Sequence, residues 1–168
     1  MSRKRRRSGG LLIVSGRRLL VLKRASTASN PDTWGLPGGR ADGAETSLEA
    51  ALREAAEELG ALPEAQVVGR FGVRRARSGR YDVYVCRTEP ATRDAWEPTL
   101  CPEHTRYRWV RLEWLFSRLE RLHPVLRTIC EKPEVLRALG DVIERARPLE
   151  DVPPRRRKQT IVIAGASA

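Results

Sequence analysis

The apolar residues near the start of the chain form two short runs on either side of a glycine-containing turn. The segment LLIVSGRRLLVLKR therefore predicts a β-hairpin, with strands over 11–15 and 18–24. The next apolar positions stand in WGLPGGRADGAE, a segment with too many glycines and prolines for a regular element. That segment is predicted to be a loop in which Trp34 and Leu36 pack while the backbone bends.

A helical period of 3.6 residues begins where the glycine-rich segment ends. Thr46 and Glu49 have the spacing of a capping box at a helix N-terminus, and Gly60 suits the residue that closes a helix. Between these ends the apolar residues recur on one stripe: Leu48, Ala51, Leu52, Ala55 and Leu59. We therefore expect an amphipathic helix that packs against the rest of the protein by this stripe.

The second half of the chain predicts three more strands and two helices. A second hairpin is expected in AQVVGRFGVRRARSGRYDVYVCRTE, with its turn at Ser78 and Gly79, and YRWVRL (107–112) predicts a further strand. Pro124 suits the first turn of a short helix that runs to residue 129, and Pro133 lies near the start of a last helix that runs to residue 147. The order β, β, α, β, β, β, α, α is typical of an α/β fold in which helices cover a mixed sheet.

The composition indicates one folded domain without a membrane segment. With 168 residues and 40% apolar content, the chain is long enough for a single core and short tails. It contains no apolar run of about 18 residues and no signal-peptide pattern, so we expect no membrane partner. The three cysteines, Cys86, Cys101 and Cys130, are widely spaced and odd in number, which predicts a reducing compartment and a cytoplasmic location.

The basic charge lies mainly at the two ends of the chain. The formal net charge is +11, but RKRRR at 3–7 and RRRK at 155–158 hold nine basic residues, so the rest is nearly neutral. We predict a basic flexible tail over 1–8, a folded domain over 9–147 and a basic C-terminal tail over 148–168. The clusters suggest RNA, DNA or, if the host is eukaryotic, a nuclear import receptor as partners. Solvated tails that aid solubility explain these clusters equally well.

Three glutamates of the first predicted helix stand on neighbouring turns of one face. Glu54, Glu57 and Glu58 fall at positions i, i+3 and i+4, where like charges repel one another. A hard cation such as Mg²⁺ or Mn²⁺ relieves that repulsion, because it prefers oxygen ligands. Arg53 is close enough along the helix to orient one of these carboxylates. Taken alone, such a cluster is more often a solvated helix face than a set of metal ligands.

The spacing around these glutamates closely resembles the Nudix box. The matching positions are Gly39, Glu45, Arg53, Glu54, Glu57, Glu58 and Gly60. Ala55 and Ala61 depart from the family pattern, which usually has a bulkier aliphatic residue there, and this departure concerns local packing more than chemistry. WGLPGG, just upstream, also looks like the approach loop of this family, and the resemblance extends over 9–147.

Resemblance to Nudix hydrolases implies an α/β/α sandwich that uses Mg²⁺ or Mn²⁺ to cleave a pyrophosphate bond in a nucleoside diphosphate linked to another group. By position in the motif, the metal ligands would be Glu54, Glu57, Glu58 and the carbonyl group of Gly39. Arg53 would orient a carboxylate, and Glu45 would be a structural acid near the site.

Two glutamates compete for the role of general base. In this family the base comes from the box or from a later loop, so Glu57 competes with Glu103, which lies in a loop six residues before a tryptophan, as in the MutT branch. Tyr81 is the candidate for stacking on a base, and Arg75 is the candidate for contact with substrate phosphates. His104 is expected to be a surface histidine.

These expectations favour a pyrophosphohydrolase that acts on a nucleoside triphosphate or a related small nucleotide, as a monomer or a homodimer. An alternative enzyme removes caps or pyrophosphate from RNA 5′ ends, with the basic tails holding the polymer. A second alternative is a non-catalytic nucleotide-binding or RNA-binding module on the same fold. The intact cluster of three glutamates with Arg53 argues against the module, which has no need of them.

Overall fold

A computed structural model describes residues 7–75, 79–144 and 162–163, which form a mixed β-sheet with helices on both faces. The strands are β1 (Ser8–Ser15), β2 (Arg18–Arg24), β3 (Trp34–Gly35), β4 (Gly38–Arg40), β5 (Ala65–Arg75), β6 (Gly79–Arg87), β7 (His104–Val110) and β8 (Val162–Ile163). The helices are α1 (Ser47–Leu59), α2 (Pro90–Ala95), α3 (Leu112–Phe116), α4 (Pro124–Cys130) and α5 (Pro133–Glu144), with a 3₁₀ turn at Leu119–Arg121. The predicted α/β sandwich with a mixed sheet is confirmed.

The two strands of the first hairpin pair only near its turn and then separate, and other strands pair with the separated parts. β1 and β2 pair beside the turn, where Val14 lies opposite Leu19. Further from the turn, β4 pairs with the start of β1 and β3 pairs with the end of β2. The other edge of β1 runs parallel to β6, and the other edge of β2 pairs with β7. The two short strands therefore fill the opening between the arms of the hairpin.

The glycine-rich segment that was expected to be a loop contains both of these short strands, so that prediction is wrong in part. β4 pairs with β1 through glycines, with Gly9 opposite Gly39 and Gly10 opposite Gly38. Gly38 has a φ of 138°, and a Cβ at this position would collide with the backbone of Gly9. Because the pairing joins residues without side chains, the apolar periodicity that predicts other strands carries no signal for it.

Helix α1 has the two ends that its sequence predicts. The hydroxyl group of Thr46 accepts a hydrogen bond from the N–H of Glu49 at 3.2 Å, and Glu49 Oε2 accepts one from the N–H of Thr46 at 2.8 Å. This reciprocal pair is the predicted capping box. Gly60 has a φ of 73°, and its N–H donates to the carbonyl group of Ala56 at 2.9 Å.

Alternate residues of the central strands point to opposite faces of the sheet, and each face has its own core. The core under α1 includes Leu11, Ile13, Leu20, Leu22, Ala51, Ala55, Leu59, Tyr84 and Cys86. The core under α3, α4 and α5 includes Leu12, Val14, Val21, Val83, Val85, Leu115, Leu126 and Ile129. Within the predicted helical stripe, Leu48 and Leu52 are only half-buried, whereas Ala50, which lies outside it, is fully buried. Small alanines face the sheet because α1 packs very close to it.

Some elements lie away from their predicted positions or have no counterpart in the prediction. The strand predicted over 107–112 begins at His104 and ends at Val110, because its pairing with β2 extends to Arg24. Residue 112 instead begins α3. The sequence did not indicate α2, α3 or β8, and β8 lies inside the proposed C-terminal tail, where it pairs antiparallel with β5.

Parts of four predicted segments lie outside the described residues, and the first three concern the tails and a turn. These parts are positions 1–6 of the first tail, the turn residue Ser78, and the C-terminal tail apart from 162–163. The last predicted helix is described as far as Glu144. Among the residues that the structure describes, none of the helices is long and apolar enough to cross a bilayer.

An alanine substitution at Gly9 tests the close approach of β1 to α1. A Cβ at this position would collide with the backbone carbonyl group of Ser47. We expect Gly9→Ala to lower the free energy of unfolding by about 1–3 kcal/mol, the usual cost of forced overpacking. Urea unfolding followed by circular dichroism measures the change.

Gly140→Ala is the matched control for this substitution. Apart from the neighbouring backbone of its own helix, no heavy atom of the described residues lies within 4 Å of a Cβ built at Gly140, which is inside α5. Removal of a helical glycine should raise the free energy of unfolding by about 0.5–1 kcal/mol. An unfolding midpoint for Gly9→Ala equal to that of the unmodified protein would contradict the close packing.

Candidate active site

The glycines of β4 bring its backbone against the carboxylates of α1. A Cβ at Gly39 would stand 2.7 Å from both carboxylate oxygens of Glu54, which is closer than a side chain tolerates. The N–H of Gly38 donates a hydrogen bond to Glu58 Oε2 at 2.9 Å. The backbone of β4 therefore lies directly beside two of the three clustered glutamates.

Glu58 is a buried carboxyl group that lacks a full counter-charge. Only 7% of the residue is exposed, and burial raises the pKa of its carboxyl group to about 8. The hydrogen bond from Gly38 opposes this rise, the negative charges of Glu54 and Glu103 add to it, and the positive charge of Arg24 opposes it. A cation bound beside Glu58 would favour the ionised carboxylate.

Arg53 holds the outer carboxylates of α1 in place. Its guanidinium group makes a two-point contact with Glu45, from Nε to Oε1 at 2.8 Å and from Nη2 to Oε2 at 3.0 Å. Nη1 lies 3.3 Å from Glu54 Oε1 and 3.2 Å from Glu57 Oε1, and Nη2 donates to the carbonyl group of Arg40 at 2.9 Å. Hydrogen bonding to Arg53 lowers the pKa of Glu45 to about 2. One arginine thus orients three carboxylates and the end of β4.

Glu57 lies apart from the other two glutamates of the cluster. Its side chain is 61% exposed and pairs with Arg53. A cavity that Glu54 and Glu58 line does not include Glu57 among its lining residues. Within the described residues, no three carboxylate, histidine or cysteine side chains converge closely enough to form a metal site. Helical spacing places the three glutamates on one side of α1, but the pairing with Arg53 holds Glu57 at the solvent.

Backbone hydrogen bonds position the loop that carries Glu103. The N–H of Cys101 donates to the carbonyl group of Glu58 at 3.0 Å, and the N–H of Ala25 donates to the carbonyl group of Glu103 at 2.8 Å. The side chain of Glu103 is 65% exposed, and its Oε2 lies 3.5 Å from Nη2 of Arg24. The loop is therefore tied both to the end of α1 and to the end of β2.

His104 is buried beside the same cavity, so its prediction as a surface histidine is wrong. The register of β7 on β2 places His104 opposite Arg24. Its Nε2 lies 3.9 Å from Oε1 of Glu58. Burial, followed by the positive charge of Arg24, lowers the pKa of the imidazole to about 4, so the ring is neutral at neutral pH. The sequence gives no sign of this burial, because His104 stands in the polar segment PEHTR at 102–106.

One cavity of about 360 Å³, the site cavity, brings these groups together. Its polar lining includes Glu54, Glu58, Glu103, His104, Arg24, Asn30 and His123. Asn30 Nδ2 lies 3.4 Å from His123 Nε2. Sequence reasoning missed Arg24, Asn30 and His123 because they belong to no motif. They come from the end of β2, the loop after it and the residue before α4, and only the fold makes them neighbours.

The remaining predicted site residues have different positions. Gly39 lines the site cavity beside Glu54. Tyr81 also lines it, but the residue is only 7% exposed and belongs to the core under α3 to α5, which leaves little of the ring for stacking on a base. Arg75 ends strand β5, and its side chain lies outside the described part of the structure. Glu45 lies outside the cavity lining, in contact with Arg53.

Comparison with known proteins gives a family and a set of relatives. Residues 3–132 match the family model of the NUDIX domain. The bis(5′-nucleosyl)-tetraphosphatase [asymmetrical] of Rattus norvegicus is 36% identical over 89 residues, an alignment that covers 48% of this chain and 56% of the rat protein. The chain therefore spans little more than half the length of this relative.

Solved structures share the fold over most of the chain. A Nudix hydrolase from M. smegmatis, RenU, is 25% identical, with a TM-score of 0.65 over 88% of this chain and 91% of that chain. The MutT protein of Methanosarcina mazei Go1 is 24% identical, with a TM-score of 0.57 over 83% of this chain and 98% of that chain. Because the family model covers well over half of the chain, including the helix that carries the glutamates and the loop of Glu103, this protein belongs to the Nudix hydrolase family.

Proposed function

We propose that this protein hydrolyses a pyrophosphate bond in a small nucleotide, with a nucleoside triphosphate or a dinucleoside polyphosphate as the substrate. The observation that carries the proposal is that Glu54, Glu58 and Glu103 all line one cavity, which Arg24 also lines. Carboxylates hold a hard cation, and the cation together with Arg24 supplies the positive charge that a phosphate chain requires. A cavity of about 360 Å³ is in the size range of small-molecule sites.

The rat relative supports the choice of a dinucleoside polyphosphate as a substrate to test. That protein is named an asymmetrical bis(5′-nucleosyl)-tetraphosphatase, and it is 36% identical over the aligned residues. A dinucleoside tetraphosphate and a nucleoside triphosphate present the same chemical group to the cavity, a chain of phosphates joined by anhydride bonds. The carboxylate cluster acts on that shared group, so the nucleosides decide only the specificity.

The donors around the site cavity fit Mg²⁺ or Mn²⁺. The oxygen atoms that would hold it are the carboxylates of Glu54 and Glu58, which line the cavity, and the backbone carbonyl group of Gly39; such ligands suit a hard cation. Burial of Glu58 makes its ionised form costly unless a cation lies nearby. Glu57 would join the ligands by leaving Arg53. A bound ion would polarise the phosphate oxygens and lower the pKa of the attacking water.

The side chains around the cavity would position the carboxylates and the phosphates and would accept the proton of the attacking water. Arg53 keeps Glu54 at the cavity through its contact with Oε1. Arg24 lies in the cavity wall, where its guanidinium group can donate to phosphate oxygens. Glu103 is the better-placed general base, because it lines the cavity and is open to water, whereas Glu57 is exposed but does not line the cavity. The proton of the attacking water would pass to a carboxylate oxygen of Glu103.

Hydrolysis at the 5′ end of RNA is the alternative for the same cavity, because a capped or triphosphorylated end carries the same anhydride bonds. The basic tails that would hold the polymer lie almost entirely outside the described residues. A non-catalytic module is the weaker alternative. Arg53 orients three carboxylates, and a module that only binds a nucleotide gains nothing from that concentration of negative charge.

The first prediction concerns the metal. With Mg²⁺ or Mn²⁺, we expect hydrolysis of at least one member of a panel of nucleoside triphosphates, dinucleoside polyphosphates, ADP-ribose and capped RNA. Glu58→Gln should lower kcat/KM by about 10²-fold or more, because one charge of the metal site is lost. Phosphate release measured with and without EDTA tests both expectations.

Glu97→Gln is the matched control, because Glu97 is an exposed glutamate away from the cavity. Its activity should equal that of the unmodified protein. Full activity in excess EDTA, or in Glu58→Gln, would contradict the proposed enzyme.

The second prediction separates the two candidates for the general base. Glu103→Gln should lower kcat by about 10²-fold, the usual worth of a positioned proton acceptor, with a smaller change in KM. Glu57→Gln should lower kcat less if Glu57 only pairs with Arg53. Steady-state kinetics on the best substrate of the panel gives both values, and a larger loss in Glu57→Gln would assign the base to Glu57.

The third prediction follows from the raised pKa of Glu58. The folded protein holds this proton up to about pH 8, whereas an ordinary glutamate releases it near 4.5. Between these pH values the unfolded chain binds fewer protons than the folded protein, so Glu58 makes stability fall as the pH rises. In EDTA, the melting temperature of the unmodified protein should therefore fall relative to that of Glu58→Gln from about pH 5 to pH 8.

Addition of Mg²⁺ should counter that fall, because a bound cation favours the ionised carboxylate. The rise in melting temperature that Mg²⁺ produces should be larger at pH 8 than at pH 6. A rise of equal size at both pH values, or one that is unchanged in Glu58→Gln, would show that Glu58 does not contact the ion.

A further inference from the structure

A second concave surface, of about 530 Å³, adjoins the site cavity. We call it the arginine cleft; its cationic and aromatic lining consists of Lys23, Trp34, Arg106, Arg108, Trp114, Arg118 and Arg121. Residues that are adjacent in the sequence line different surfaces. Lys23 and Trp34 line the cleft, whereas Arg24 and Gly35 line the site cavity, and the loop between them borders both.

Three elements contribute the positive charges of the arginine cleft. Arg106 and Arg108 are two residues apart on β7, so their side chains leave the same face of the strand at positions roughly 7 Å apart. Lys23 lies opposite Arg106 on β2. Arg121 ends the 3₁₀ turn, and Arg118 immediately precedes it. The charges are thus spread along the cleft instead of converging on one point.

Two indole rings hold two of these arginines. The guanidinium carbon of Arg108 lies 5.6 Å from the ring centroid of Trp34, and that of Arg118 lies 4.6 Å from the centroid of Trp114. The indoles themselves meet edge to face, with centroids 5.3 Å apart. Arg118 Nη1 also donates a hydrogen bond to Ser117 Oγ at 2.6 Å. A guanidinium group beside a ring can use its other N–H groups for contacts with a phosphate.

The cleft carries more positive charge than its own carboxylates balance. Asp32 pairs with Lys23 at 3.2 Å, and Glu120 is the other acidic residue in the lining. None of the ion pairs among the described residues includes Arg106, Arg108, Arg118 or Arg121. Because like charges repel, a ligand with several negative charges would be favoured there.

We propose that the arginine cleft binds the phosphodiester backbone of a single-stranded polynucleotide. The cations come from β2, β7 and the 3₁₀ turn, so a ligand with several phosphates would reach more of them than a lone phosphate, which would contact only one or two. The indole ring of Trp114 in the lining also favours a single strand, whose unpaired bases can stack on aromatic side chains. Binding through charge alone carries no sequence preference.

Binding measurements on the full chain test this proposal without reference to hydrolysis. The cleft variant is Arg106→Gln/Arg121→Gln, which removes two exposed arginines with no ion pair among the described residues. The control is Arg17→Gln/Arg137→Gln, which removes two exposed arginines outside the cleft and the same net charge. The probe is a fluorescent homopolymer RNA of about 15 nucleotides, followed by anisotropy over a range of salt concentrations.

The slope of log affinity against log salt concentration is the decisive quantity, because it counts the phosphates that are neutralised. The cleft variant should reduce the magnitude of this slope by about 1.4, or about 0.7 for each lost contact with a single strand. The control should leave the slope unchanged, since the tails are identical in all three proteins. Equal slopes for the cleft variant and the control would overturn the proposal.

Further ligands decide which polymer the cleft holds. A DNA strand of equal length should show the same loss of slope if the backbone alone is bound, and a loss confined to RNA would identify RNA as the ligand. If the cleft variant reduces the salt slope for a duplex or for a polyglutamate peptide by as much as it does for the single strand, the assignment to a single-stranded polynucleotide is overturned. Arg106→Lys/Arg121→Lys keeps both charges and should restore most of the slope, and if it does not, the loss reflects misfolding and the proposal fails.

Discussion

Backbone contact between glycines and helix α1 is the constraint on which the site depends. Because Gly9 and Gly39 have no Cβ, strands β1 and β4 lie closer to helix α1 and its Glu54 side chain than a larger residue would permit, and Gly38 in the same way lets β4 lie close to β1. This approach places an N–H group of β4 on the carboxylate of Glu58. It also requires β4 to lie beside β1, and the first hairpin must open to make room for it. The position of the site cavity follows from that opening.

The negative charge that this packing collects is balanced in two different ways. Arg53 neutralises the outer carboxylates, and since these groups are partly or largely exposed, each pair contributes little free energy. Glu58 is the costly group, because its burial shifts a carboxyl pKa from 4.5 to about 8. The desolvation of Glu58 is the largest cause of its raised pKa, and a positive charge beside it would favour the ionised carboxylate.

The chain between its basic tails is nearly neutral, but two of its surfaces carry opposite charge. The carboxylates meet at the site cavity, and the arginines of β7 and the 3₁₀ turn meet at the arginine cleft next to it. A sum of charges along the sequence cannot show this separation, because Glu54 and Arg108 are far apart in the chain and only the sheet brings their surfaces together.

Much of the fold and part of the site are encoded locally. The capping box at Thr46, the closing residue Gly60 and the spacing of Arg53 and the glutamates all lie within one helix, so the sequence by itself determined the ends of α1, its family and the α/β order of elements. Apolar periodicity predicted the first hairpin for the same reason, since neighbouring residues define the pattern. These features need only the geometry of a single element.

Only the tertiary structure decided which of these residues share a cavity. The burial of His104 depends on the register between β7 and β2, and the pairing of Gly38 with Gly10 depends on a strand without side-chain periodicity. Glu57 faces the solvent, where its carboxylate pairs with Arg53. Each of these outcomes is a contact between groups whose meeting no local pattern encodes, because strand pairing and charge pairing are chosen by the free energy of the whole fold.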